Sequence, residues 1–326
     1  LTAITLTYYL VIFYNFIKFE AIQNGTMKEV CALLDSTYLK TAQQAGVEDS
    51  ANQKIVNSVV QEAIDFGFKL VMIRSEYVQE KLTTFAKEND YKNSGLEDFK
   101  KRDKYVDTYH VISKKTLKEL EQLTNKKIIY IPFWVNQNIW FPIEDKDSLR
   151  SKYNIPNNSY VVGSFQRDTE GKDLISPKLI KGPDQFLKIA TQLDQIHENL
   201  IILLAGKRRQ FLISELEKLG IRYVYKEMVD DSVLNELYNC LDLYVVASRK
   251  EGGPQAIVEC GISKSPIIST DVGFASEILS KNSIFNMENF LNATPDVEVA
   301  YNNSIKLAVP NGFEKYEKMF REAILE

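Results

Sequence analysis

Glu251-Gly252-Gly253-Pro254-Gln255-Ala256-Ile257-Val258-Glu259 is the stretch on which the reading of this chain turns. It follows an apolar run, residues 241–247, that reads as a buried strand running into the small loop Ser248-Arg249-Lys250. Gly252 and Gly253 permit a tight backbone path close to a ligand. Pro254 suits the first position of a helix, where its missing N–H costs nothing. Strand, glycine turn and helix start together make an anion site, because the first amides of a helix have no internal partners. Glu251 sits beside that helix start. Glu259 lies inside the helix between Val258 and Cys260, and a carboxylate on an apolar stretch needs hydrogen-bond donors. A sugar or ribose diol supplies two hydroxyls at the right spacing. For the two glutamates taken alone a plainer account stays open, in which Glu259 caps a neighbouring backbone and Glu251 faces water.

Ser248, Glu251, Gly252, Gly253, Pro254 and Glu259, in this spacing, resemble the donor-binding signature of GT-B-fold retaining glycosyltransferases of the family-four, or group 1, type. The continuation from Gly261 through Pro266 and Asp271 to Gly273, followed by Glu277, is similar to the next strand and turn of that family. Cys260 and Phe274 stand where the family more often has Ala and Gly. The resemblance is specific over the second half of the chain and thin over the first. It implies an α/β protein of GT-B fold, with two Rossmann-like doubly wound domains facing a cleft.

Size and composition agree with two domains: 326 residues, 44% of them hydrophobic. A net charge of −4 and a pI near 5.6 argue against a general nucleic-acid binder. Cys31, Cys240 and Cys260 are odd in number and far apart, without metal-ligand spacing, which suits a reducing, cytoplasmic compartment. With only His110 and His197, a His-rich metal site is excluded. Residues 1–17 are uncharged and apolar, but shorter than the ~20 residues of a typical membrane span. With no basic segment ahead of them and no small-residue cleavage site after, they read as buried strands, or as a strand and a helix, rather than a signal peptide.

Further along, residues 27–34 read as a helix or strand and 52–64 have helical apolar spacing. Residues 68–73 read as a strand, followed by a helix capped at Ser75. A strand at 105–112 leads to a helix at 114–123 capped by Ser113, then a strand at 127–131 ending at Pro132. Alternating strands and helices imply parallel sheets covered on both faces. The resemblance assigns residues 1–142 to an acceptor-side domain, divergent or incomplete. Its glycine turn after the first strand is missing, and the family's histidine is not found between residues 89 and 97. His110 reads as a core or interface histidine. Lys100, Lys101, Arg102, Lys104, Lys114, Lys115, Lys118, Lys126 and Lys127 make a basic stretch against four nearby acids. A solvated helix face, or peripheral docking on an anionic membrane or a phosphorylated acceptor, accounts for it.

Residues 143–158 are polar with no apolar period and read as the linker. Residues 159–310 follow as the donor-binding domain, and 311–326 as a terminal amphipathic helix that in this family packs back towards the first domain. A strand at 160–165, containing Gly163 and Ser164, runs into a loop holding Arg167, Lys178 and Lys181. The family uses an Arg and a Lys there for the donor diphosphate; Arg167 and Lys181 fit, with Lys178 as a substitute for Lys181. A strand at 200–205 ends at Gly206, with Lys207, Arg208 and Arg209 after it, and ligands bind at the carboxyl ends of strands in such sheets. All three are therefore placed for phosphates, with a solvent-facing side chain as the alternative for Arg209. A short strand over 223–228 ends at Met228, which by resemblance faces the nucleotide base. A helix over 232–240 precedes the central strand, and the chain turns loop-like after Ile284.

The resemblance implies transfer of a sugar from a nucleotide-diphosphate sugar to a glycan, lipid-linked or protein acceptor, with retention, in polysaccharide or glycoconjugate assembly. Arg167 and Lys181 would stabilise the leaving diphosphate, Glu251 would hold sugar hydroxyls and Glu259 the ribose. Gly252, Gly253 and Pro254 would bring helix-start amides to the donor. No cofactor and no metal is expected, since the cations take that part. Two other classes fit the same fold: a nucleotide-sugar epimerase, and a catalytically silent relative that binds a nucleotide sugar or a partner.

Overall fold

In the computed structural model, Phe99, Lys100, Asp103, Val106 and residues 108–325, Lys172 excepted, are described. The expectations for residues 1–98, and for Lys101, Arg102 and Lys104, lie outside these residues. Two compact units form. One holds the described residues up to Val111, Leu117–Ile131 and the chain end from Glu314; the other holds Ile112–Thr116 and Pro132–Phe313.

In the first unit β1 (Thr108–Val111) and β2 (Lys127–Tyr130) pair in parallel, Thr108 opposite Lys127. Phe99, Val106, Tyr109, Val111 and Leu120 form its apolar cluster. His110 is buried, its Nε2 2.8 Å from the Ile131 carbonyl and its ring edge-on to Tyr316. Burial lowers its pKa to about 4, the bond to Ile131 opposing the shift, so at neutral pH it is an uncharged core residue. Helix α1 (Lys114–Leu120) opens on the expected cap, the Ser113 hydroxyl accepting from the Thr116 amide at 3.1 Å.

The second unit is a six-stranded parallel sheet in the order β5-β4-β3-β6-β7-β8. In chain order it comprises α2 (Lys146–Lys152), β3 (Tyr160–Ser164), α3 (Pro183–Ile196), β4 (Leu200–Ala205) and α4 (Gln210–Leu219). Then come β5 (Tyr223–Lys226), α5 (Asp231–Asn239), β6 (Leu243–Val246), α6 (Gln255–Ile262) and β7 (Ile267–Thr270). Last are α7 (Ala275–Ile278), β8 (Ile284–Phe285), α8 (Val297–Ser304) and α9 (Asn311–Leu325), whose end belongs to the first unit.

The strand alternation sorts the core into two layers. Leu200, Ile202 and Leu204 face a cluster built with Phe186, Ile189 and Leu193 of α3 and Leu212 and Leu216 of α4. Ile201, Leu203 and Ala205 face the other cluster, with Leu234 and Leu237 of α5 and Ile257 and Val258 of α6. A strand covered on both faces is apolar at every position, which is why the 200–205 run is unbroken. The chain reverses its direction of winding between β3 and β6, whose carboxyl ends therefore border an open crevice, the place where doubly wound sheets bind ligands.

Three local readings change. Residues 143–158 are built into the second unit: Asp145 caps α2 by accepting from the Ser148 amide, and Leu149, Tyr153 and Ile155 are buried. Arg150 is 4% exposed, its guanidinium on the carbonyls of Cys240, Asn157 and Ser159 and 2.6 Å from Asp242. This segment docks through a satisfied charge, so no apolar period announces it. Helix α8 occupies residues read as loop. Asp296 caps it, and it packs so close to α6 that a Cβ on Gly261 would fall 2.1 Å from the Ser304 hydroxyl. Pro254 is the cap of α6 rather than its first residue, with an extended ψ of 115°.

Gly182 stands between the turn Leu179–Lys181 and α3 with φ of +64°, and a Cβ there would lie 1.8 Å from the Ala247 carbonyl oxygen. Gly220 has φ of +69° but nothing within 4 Å. Gly182→Ala therefore combines strain with a backbone clash and should cost roughly 2–6 kcal/mol, whereas Gly220→Ala should cost only about 1–2 kcal/mol. Urea unfolding of both variants measures the difference, and equal losses would show that the crowding at Ala247 is absent.

Candidate functional site

Beyond the end of β6, Ala247 and Ser248 are buried and the chain turns through Glu251, Gly252 and Gly253, all buried as well. Space forces this sequence. A Cβ on Gly253 would sit 2.2 Å from the Phe274 ring, and one on Gly273 2.5 Å from the Gly252 carbonyl oxygen. Phe274 fills the room that Gly253 leaves and stands edge-on to Phe133, which explains its presence at a position read as a departure.

Glu251 is the centre of the crevice. Lys181 Nζ reaches both its oxygens, at 2.7 and 2.6 Å, and the Ser248 hydroxyl donates to Oε1 at 2.8 Å. Lys181 arrives on the turn Leu179–Lys181, which is tied to the same corner from several sides. The Arg249 amide donates to the Ile180 carbonyl, and the Gln185 amide group to that of Ala247. The Gln166 side chain donates to the Lys181 carbonyl, and the Arg249 guanidinium grips Asp184 with two bonds of 2.7 and 2.6 Å. Thus the loop after β3 and the loop after β6, on either side of the winding reversal, are joined by a carboxylate–ammonium pair at their centre.

Glu259, one turn and more into α6, is half-buried and accepts from the Tyr238 hydroxyl at 2.8 Å. Burial raises its pKa to about 7; the Tyr238 bond opposes that rise and the charge of Asp231 adds to it. Such a group exchanges its proton near neutrality.

The remaining predicted residues are placed unequally. Arg167 is exposed in the loop after β3, and Lys178 donates its amide to the Asp168 carbonyl at 2.7 Å. Gly163 lies within β3 against Leu241, where a Cβ would collide at 2.6 Å, and Ser164 is buried at the strand end. Gly206 closes β4 with φ of +87°. Lys207 is exposed, Met228 is 49% exposed just past β5, and Arg208 adopts φ of +63° with its guanidinium on the Gly171 carbonyl. Arg209 is the clear correction. Read as placed for phosphates or else facing solvent, it is instead fully buried, with Nη2 3.2 Å from the Ser164 hydroxyl and Nε 3.5 Å from Asp168. Its partner Asp168 is 2% exposed.

Gln166, Asp168 and Tyr238 were not singled out from the sequence. Gln166 adjoins Arg167 and was within reach of a reading, but nothing local pairs Asp168 with Arg209. In the basic stretch, Lys115 is held by Asp271 at 3.2 Å and the Lys114 amide donates to Glu277. Asp145-Lys146-Asp147 spells an Asp-x-Asp triplet. Here Asp145 caps α2 and Lys146 pairs with Asp242. Among the described residues no cluster of His, Cys, Asp and Glu has the arrangement of a metal site, and no helix is long and apolar enough to cross a membrane.

Residues 145–324 match the family model for Glycosyl transferases group 1. The chain belongs to that family. One relative is the alpha-galactosylglucosyldiacylglycerol synthase of Streptococcus pneumoniae, 25% identical over 171 residues. That match covers 49% of this chain and 42% of the relative, so the chain aligns with less than half of the relative's length. Sucrose-phosphate synthase from Thermosynechococcus elongatus superimposes with a TM-score of 0.64 at 14% identity, over 83% of this chain and 71% of that one. Anabaena HepE, solved with UDP and glucose, gives 0.63 at 15% identity over 88% and 82%. These likenesses identify the fold as GT-B.

Burial raises the pKa of Asp168 to about 6, the charge of Arg209 acting against it, and burial lowers that of Arg209. Because the folded value of Asp168 lies above its ordinary 3.8, its contribution to stability declines as pH rises from about 4 through about 6. Arg209→Met removes the counter-charge and extends that decline upward. The variant should lose about 3–5 kcal/mol at pH 8 and distinctly less at pH 5, where Asp168 takes up a proton. Urea unfolding at the two pH values measures this, and a loss independent of pH would mean that the two charges are not coupled.

Proposed function

We propose that this chain carries the donor site of a glycosyltransferase that moves a sugar from a nucleoside diphosphate to an acceptor hydroxyl, with retention and without a metal ion. The observation that carries it is the Lys181–Glu251 pair, braced by Ser248, at the winding reversal of the sheet in a group 1 chain. Lys181, paired with Glu251, lies within reach of a donor phosphate, and Glu251 can accept from sugar hydroxyls.

In this reading the second unit, with Pro132–Phe313, forms the donor domain and the first unit the acceptor side. Lys181 and Arg167 meet the charge that grows on the leaving diphosphate, the kind of preorganised electrostatic stabilisation that dominates many enzymes. The start of α6 adds its unpaired amides, which Gly252 and Gly253 allow the donor to approach. Glu251 holds the sugar and Glu259 the ribose. The leaving phosphate oxygen takes the acceptor proton on the face it departs from, so no protein nucleophile is required. HepE bound to UDP and glucose makes UDP and its sugars the first donors to try, and the pneumococcal glycolipid synthase makes a lipid-linked or glycan acceptor the first class to try.

Thermal unfolding with UDP, GDP and ADP and their sugars tests the donor site. A ligand at 100 times its Kd adds about 2.7 kcal/mol, which for a domain of this size raises Tm by roughly 5–10 °C. One nucleotide series should stabilise the wild type, and Glu259→Ala should remove most of that shift. A wild-type protein stabilised by none of them would instead be a silent relative.

A further inference from the structure

Glu259 is held asymmetrically. Tyr238 Oη donates to Oε2 at 2.8 Å, and no second hydrogen bond to this carboxylate comes from the described residues. A tyrosine hydroxyl carries one proton, so this bond uses its whole donor capacity. The Tyr238 ring is itself 2% exposed and wedged among Trp140, Phe165 and Tyr244, with ring centroids 5.7, 4.9 and 5.4 Å away. Phe165 leads into the loop bearing Arg167, and its amide donates to the Tyr244 hydroxyl at 3.1 Å. The aromatic group therefore connects the loop after β3 to the glutamate on α6, and Tyr238 is the member that touches the carboxylate.

We propose that Tyr238 is a positioning residue for Glu259: by binding one oxygen it fixes the rotation of the carboxylate and presents the other oxygen to the vicinal diol of a bound nucleotide's ribose. This rests on the donor-site reading above. The titratable groups packed around Glu259 are Tyr238 and Asp231 from α5, Tyr244 from β6 and its neighbour Cys260. Among them only Tyr238 donates a hydrogen bond to it, and a donor favours the ionised form, the better acceptor for a diol. Burial and Asp231 press the other way. Tyr238 thus sets both the direction of the carboxylate and the pH at which it is ionised.

Tyr238→Phe deletes the hydroxyl and leaves the ring in place. Binding of UDP, GDP and ADP, each beside its 2′,3′-dideoxy counterpart, is measured by calorimetry from pH 5.5 to 8.5. For the nucleotide that binds, the wild type should prefer the ribose form by about tenfold at pH 8, and the preference should fade as Glu259 takes a proton near pH 7. In Tyr238→Phe the preference should drop to about threefold or less at pH 7, with its midpoint about one pH unit higher, while affinity for the dideoxy form stays the same. A variant with unchanged preference and midpoint, or one that weakens both forms equally, overturns the positioning role and leaves the donor site standing. A wild type that binds no diphosphate overturns both.

Discussion

The side chain of Glu251 keeps only 8% of its surface in water, so its charge has to be met by donors brought from elsewhere in the chain. They come from two loops: Lys181 from the turn ahead of α3, and Ser248 from the end of β6. Holding an ammonium against a buried carboxylate fixes the path of both loops, because either charge left alone would be strongly unfavourable. The backbone bonds of Ile180 with Arg249 and the fork of Arg249 on Asp184 complete the same junction. The geometry of the crevice is therefore a consequence of charge compensation as much as of the sheet.

Steric limits act beside the electrostatic one. Gly182, Gly253 and Gly273 each lie where a Cβ would meet neighbouring atoms at 2.5 Å or less. The carboxyl ends of β6 and β7 and the turn before α3 are drawn together until only glycine backbone fits between them. Phe274 then seals the underside of the glycine turn. A rigid corner of this kind suits a site whose chemistry is positioning and electrostatics, since stabilising groups that are already aligned need no rearrangement as charge develops.

Arg209 shows how far charge can be taken inward in this domain. Three consecutive cations follow β4, and they meet three different fates: Lys207 in solvent, Arg208 on the Gly171 carbonyl, Arg209 sealed against Asp168 and Ser164. Asp168 also receives the Lys178 amide on its carbonyl and gives its own amide to that of Arg208. The buried pair consequently anchors the long loop that carries Arg167 and Lys178. Arg150 does the same for residues 143–158, through Asp242 and three carbonyls.

The sequence by itself determined the succession of strands from β1 to β7, the helices α1, α3, α5 and α6 among them, the parallel character of the sheet and the glycine corner. Those features are written in local terms: unbroken apolar runs such as 200–205, glycines where backbone crowds, and a serine or aspartate ahead of a helix. It also determined that Lys181 and Glu251 belong to one site, though only through their resemblance to a family pattern. Tertiary structure alone decided which charges are spent and which are presented. The burial of Arg209 and Arg150, the bond from Tyr238 to Glu259 and the docking of α8 on Gly261 all join residues distant in the chain. No local propensity encodes such pairings, because a charged side chain reads as solvent-facing until the fold supplies the partner that lets it be buried.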